Sequence, residues 1–80
     1  FNSRVTIRFY LQIDQSVVVK IYNMNGQDIK TLFSGDLVDG NHKIFWDATN
    51  DQGQEVPSGV YYYTIESDGM KQVRTITYVK

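Results

Sequence analysis

Nowhere in this 80-residue chain does the sequence hold a helical period for even ten residues. Apolar and polar residues alternate instead, in short runs. Six glycines, at positions 26, 35, 40, 53, 59 and 69, cut the chain into lengths of a strand plus a turn. The runs between them are rich in Val, Ile, Thr, Tyr and Phe, which suit a pleated, half-buried surface. Period-two patterning punctuated in this way restricts the chain to an all-β fold.

The alternation assigns faces. In residues 4–11, Val5, Ile7, Phe9 and Leu11 share one face, and Arg4, Thr6, Arg8 and Tyr10 the other. Residues 12–15 read as a turn. In residues 16–22, Val17, Val19 and Ile21 point inward, with Val18, Lys20 and Tyr22 outward. Asn25-Gly26 is a strong hairpin signal, because both residues tolerate positive φ. Ile29 and Leu32 stand three apart, so residues 27–33 read as a bulged or irregular edge strand, or as one helical turn. Residues 34–40 read as a loop or a very short strand. Residues 41–47 form a strand with His42, Ile44 and Trp46 on one face. Residues 48–54 are a polar turn, and Pro57 precedes a strand, where its missing donor costs nothing. Residues 59–66 place Tyr61, Tyr63 and Ile65 on one face and Val60, Tyr62 and Thr64 on the other. After a turn at Ser67-Asp68-Gly69, residues 71–79 close the chain with Ile76 inward.

About seven short strands at this spacing predict an immunoglobulin-like antiparallel β-sandwich, one domain over residues 1–80. The Cys…Trp…Cys spacing of antibody domains is absent, since the chain has no Cys. The same absence excludes a disulfide framework and any Cys-ligated metal. A formal net charge of -1 speaks against nucleic-acid binding, and no apolar run is long enough for a membrane-spanning helix. A domain of this size buries only about 60–65% of its unfolded surface, so its core must be efficient. One Trp, six Tyr and four Phe supply much of that core. Spending them on a catalytic pocket would weaken it, so the residues favour a binding, structural or sorting module over an enzyme.

Five features merit a test for chemistry. His42 is the lone imidazole; without a nucleophile elbow beside it, it reads as a strand-edge packing residue. Asp47 and Asp51 are a carboxylate pair with no groove implied around them. The turn Asp47-Ala48-Thr49-Asn50-Asp51-Gln52-Gly53 is oxygen-rich but lacks EF-hand spacing, and tight turns use the same residues. No metal and no cofactor is expected. The outward tyrosines Tyr10, Tyr22 and Tyr62 form a candidate surface aromatic patch, with carbohydrate as a candidate ligand; cross-strand pairing is the plainer account of them. Trp46 reads as a core anchor with its N–H bonded.

The stretch from Lys20-Ile21-Tyr22-Asn23-Met24-Asn25-Gly26-Gln27 to Leu32, then Gly40-Asn41-His42, Trp46-Asp47 and Pro57-Ser58-Gly59-Val60-Tyr61-Tyr62-Tyr63, resembles in order a known bacterial family. It resembles the C-terminal sorting domain of proteins exported by the type IX secretion system, and equally the immunoglobulin-like domain related to the flagellar hook-capping protein. The opening Phe1-Asn2-Ser3 and the closing basic–apolar strand fit the same pattern. The resemblance implies a non-catalytic module at the end of a larger secreted protein, at the surface of a Gram-negative-type bacterium. Its partners would be the secretion and attachment machinery and the upstream domain of its parent. The sorting signal would sit on Arg74, Thr75, Ile76, Thr77, Tyr78, Val79 and Lys80, presented as an edge strand. The rival implications are a carbohydrate-binding or spacer module beside a secreted hydrolase, or a hook-cap domain.

Overall fold

The computed structural model describes residues 4–80. The opening Phe1-Asn2-Ser3 of the family pattern lies outside the described residues. Six strands follow in order: β1 (Val5–Leu11), β2 (Gln15–Asn23), β3 (Asp28–Leu37), β4 (Gly40–Trp46), β5 (Gly59–Ser67) and β6 (Met70–Tyr78). All pair antiparallel, in two sheets: β1 with β4, and a larger sheet in the order β3-β2-β5-β6. The chain crosses between sheets after β1, after β3 and after β4, so the two layers are stitched into one sandwich.

The count of six departs from the expected seven, and the reason lies in residues 34–40. Ser34 to Leu37 continue β3, pairing Val18↔Ser34, Val17↔Gly35, Ser16↔Asp36 and Gln15↔Leu37. The neighbour β2 satisfies this backbone, so polar composition does not make it a loop. The Ser16 hydroxyl also donates to the Asp36 carboxylate across the pair. The broken period at Ile29 and Leu32 corresponds to two register shifts in the β2–β3 ladder, between Val19 and Lys20 and between Ile21 and Tyr22. Asn25-Gly26 does join the β2–β3 hairpin, but not as a two-residue turn; only Gly26 has positive φ (80°), within a loop closed by Asn23 and Gln27.

The core comes from the alternation. Ile7 and Leu11 of β1 and Trp46 of β4 face Val17, Val19 and Ile21 of β2, Tyr61 and Ile65 of β5, and Ile76 and Tyr78 of β6. Trp46 is its largest fully enclosed side chain. Its indole N–H donates to the Thr49 carbonyl at 2.9 Å, so the one polar atom of the ring is satisfied. Tyr61 meets the ring edge-on with centroids 5.3 Å apart, and Tyr78 is tilted against it at 6.1 Å. The Tyr61 hydroxyl leaves the core by donating to the Pro57 carbonyl, 2.6 Å away and four residues upstream. That bond is the tyrosine-corner arrangement of immunoglobulin-like sandwiches.

For Trp46 to reach Thr49, the chain reverses within two residues. Ala48 adopts φ 64°, the left-handed region, while fully buried. Left-handed backbone costs a non-glycine residue about 1–2 kcal/mol, which Ala, with only a methyl group, tolerates best after Gly, Asn and Asp. Ala48→Val adds both β-branched strain and volume to a closed site. It is expected to lower stability by about 2–4 kcal/mol in urea titration, whereas Ala48→Gly changes it by less than about 1 kcal/mol. Tyr61→Phe removes only the corner bond, and a loss of about 1 kcal/mol is expected. In calorimetry that loss lowers the melting temperature by about 4–8 °C.

Candidate functional site

The large sheet has two outer strands, and the fold treats them differently. Along β3 the connection from β4 to β5 lies against the edge. Asp51 donates its N–H to the Ile29 carbonyl at 3.0 Å, and the Thr31 N–H donates to Asp51 Oδ1 at 3.2 Å. Lys30 reaches over to Thr49 Oγ1 at 2.8 Å and stands 3.6 Å from Asp47. On the opposite side, β6 pairs only with β5 among the described residues. Its far edge is an open row of backbone groups, the kind that an added strand can occupy.

The seven residues of the expected recognition strand divide by environment. Ile76 and Tyr78 are core residues. Arg74, Thr75, Thr77, Val79 and Lys80 are exposed. Lys80 is tied down, its N–H donating to Ser58 Oγ at 3.0 Å and its ammonium lying 3.2 Å from Glu55. The side chains free to be read from outside are therefore Arg74, Thr75, Thr77 and Val79.

The aromatic patch does not assemble as one surface. Tyr22 and Tyr62 are direct partners across β2–β5, on the outer face of the large sheet. Tyr10, 61% exposed, stands on the small sheet opposite Asn41. The two outer faces point away from each other, because the chain changes sheets after β1. Two rings meet as a cross-strand pair and the third lies on the far side of the sandwich.

His42 stacks on Phe9, its partner across β1–β4, with ring centroids 5.5 Å apart. Its Nε2 lies 2.7 Å from the Val38 carbonyl. A carbonyl only accepts, so Nε2 carries the proton and the ring closes the turn before β4. Among the described residues no three acidic or His side chains gather within metal-ligating reach. The oxygens of residues 47–54 are taken up by their own loop and by Lys30 and Thr31 of β3. Asp47 Oδ1 accepts from the Thr49 N–H at 3.2 Å and from the Thr49 hydroxyl. That hydroxyl bond holds the Asp47 carboxyl below its ordinary value, opposed by partial desolvation and aided by Lys30.

A repeated loop escaped the reading of the sequence. Asn23-Met24-Asn25-Gly26-Gln27 and Asn50-Asp51-Gln52-Gly53-Gln54 share the pattern Asn-x-x-Gly-Gln. In each, the Asn Oδ1 accepts two backbone N–H groups, from residues two and four further on. In each, the Asn amide donates to the Gln side chain, at 2.7 Å in the first loop and 3.1 Å in the second. Both glycines have φ 80°. The 27-residue offset between Asn23 and Asn50 is the signal that finds it.

These features define an immunoglobulin-like β-sandwich module with one covered and one open edge on its large sheet. The family model of the FlgD Ig-like domain matches residues 2–78, and the chain belongs to that family. No curated protein matches it. Among solved structures it is similar to FlgD from P. aeruginosa, with TM-score 0.76 and 20% identity, covering 91% of this chain and 58% of that one. It is also similar to truncated FlgD from Helicobacter pylori, with TM-score 0.68 and 23% identity, covering 92% of this chain and 57% of that one. At these identities the likeness is one of fold. The chain spans under two thirds of each of the two proteins.

Two outcomes are expected for the loops. Asn50→Ala frees the segment that covers β3, and a loss of about 1–2 kcal/mol is expected in denaturant titration. Asn23→Ala opens a loop that covers nothing, and about 1 kcal/mol is expected. For Asp47, the lowered carboxyl stabilises the fold above the ordinary carboxylate pKa, and that contribution is lost as pH falls through the folded value. The side chain is 67% exposed, so solvent keeps the contribution small. Asp47→Asn should make melting temperature less pH-dependent on the acid side, with the difference from the parent largest at neutral pH.

Proposed function

We propose that the chain is a non-catalytic scaffold module of the flagellar hook-cap type, part of a larger exported bacterial protein. It acts through protein–protein contact with its flanking domain and with neighbouring subunits. The observation that carries this reading is the family match over residues 2–78. The way the fold spends its chemistry supports it. The only imidazole closes a turn, the Asp47 and Asp51 carboxylates brace a loop, and Trp46, Tyr61 and Tyr78 fill the core. Replacing the Ig-like domain of a hook-cap protein by residues 1–80 tests it, with hook completion scored by electron microscopy. Completed hooks are expected. A chimera that is exported and folded yet leaves hooks unfinished counts against the reading.

A second reading, a sorting signal for type IX secretion, is favoured by the open edge of β6. An export machine that adds a strand to β6 would meet Arg74, Thr75, Thr77 and Val79. Truncating the strand is a poor test, because Ile76 and Tyr78 would leave the core with it. Residues 1–80 fused to a reporter, with and without Thr75→Lys and Thr77→Lys, keep the core intact. Export of the parent fusion and retention of the folded variant are expected under this reading. A parent fusion that stays periplasmic while a known sorting domain exports the same reporter ends it. Carbohydrate binding loses its geometric basis, since Tyr10 lies on the face opposite Tyr22 and Tyr62.

A further inference from the structure

The outer face of the small sheet holds charge of one sign. Alternation turns Thr6, Arg8 and Tyr10 outward along β1 and Asn41, Lys43 and Phe45 outward along β4, and exposed Arg4 stands just before β1. All are exposed, Phe45 at 47%. Neither β1 nor β4 contains an acid. The four ion pairs among the described residues use Lys20, Lys30, Lys71 and Lys80, and none of the three cations here. Three of the chain's eight basic residues thus stand together on one face, while its formal net charge is -1.

Two features of this face are not explained by the packing of the core. Arg8 and Lys43 are direct cross-strand partners. Like charges placed opposite each other destabilise a sheet, and no carboxylate lies between them to offset it. Arg4 holds its guanidinium over the Phe45 ring, 4.3 Å from the centroid, which orients its donors outward from an exposed aromatic surface. Four residues of extended strand separate Arg4 from Arg8, about 13 Å. The face therefore offers two cationic points at a fixed spacing, flanked by Phe45 at one and Tyr10 at the other.

Acids bound it at both ends. Asp39 precedes β4, with Asp14 accepting its N–H at 2.8 Å, and Asp47 follows Trp46. A long polyanion lying across the sheet would run into these carboxylates, whereas a short segment would fit between them. We propose that this face docks an extended acidic segment of a partner protein. Two carboxylates about four residues apart would meet Arg8 with Lys43 and Arg4, an apolar side chain between them would lie on Phe45, and one beyond Arg8 would lie on Tyr10. This goes beyond the hook-cap reading and is independent of the β6 edge, so each can fail alone.

The test uses the 80-residue chain and a fluorescent peptide with two glutamates four residues apart in a Val/Thr background. Its controls are the same peptide with glutamines, anionic phospholipid vesicles and a DNA oligonucleotide. Anisotropy is expected to show binding of the glutamate peptide that weakens about tenfold or more between low and high salt. Arg8→Gln with Lys43→Gln should abolish it while raising the melting temperature, because the like-charge pair is gone. Lys71→Gln with Arg74→Gln, on the other sheet, should leave it unchanged. The proposal is overturned if the glutamine peptide binds equally, if binding survives Arg8→Gln with Lys43→Gln, or if vesicles or DNA bind more tightly than the peptide. It is also overturned if binding follows Lys71 and Arg74.

Discussion

The indole of Trp46 donates a hydrogen bond to the carbonyl of Thr49, and much of the molecule is arranged around that contact. A fully enclosed Trp must satisfy its N–H, and the nearest acceptor is its own chain three residues on. Reaching it forces Ala48 into left-handed backbone inside the core. The chain then passes the start of β3, where the Asp51 N–H donates to the Ile29 carbonyl and the Asp51 carboxylate accepts from the Thr31 N–H. The other edge, β6, stays open because nothing among the described residues reaches it.

That asymmetry extends to the whole sandwich. A sandwich with six strands in sheets of two and four has unequal faces and edges. The core encloses Trp46, Tyr61 and Tyr78, and other groups are left outside it. These are an open strand edge, a Tyr22–Tyr62 pair on one side, and a cationic face around Arg8 and Lys43 on the other. Such surfaces suit protein–protein contact.

Much of this was legible in the residues. The alternation of Val5 to Leu11 and of Val17 to Ile21 named the buried faces correctly, because a strand's two-residue period leaves no other choice once one face is apolar. Trp46 was recognisable as core for the same reason. Gly35 and Asp36 misled, since both are turn formers; β2 supplied partners, and a satisfied ladder overrides local preference. Tyr10, Tyr22 and Tyr62 were each rightly placed outward but wrongly grouped. Outwardness is local, whereas adjacency depends on which sheet a strand joins.

By itself the sequence determined the all-β class and the buried faces of β1 and β2, because period and side-chain chemistry are properties of each segment; it did not place Thr64, Ala48 and Val56 inside. Only the tertiary structure decided the partition into sheets of two and four, the covered edge at β3, the open edge at β6, and the meeting of Arg8 with Lys43. Those are pairings between segments distant along the chain. The backbone hydrogen bonds that make them are nearly alike at every candidate pairing, so the choice among partners belongs to the packing of the whole core.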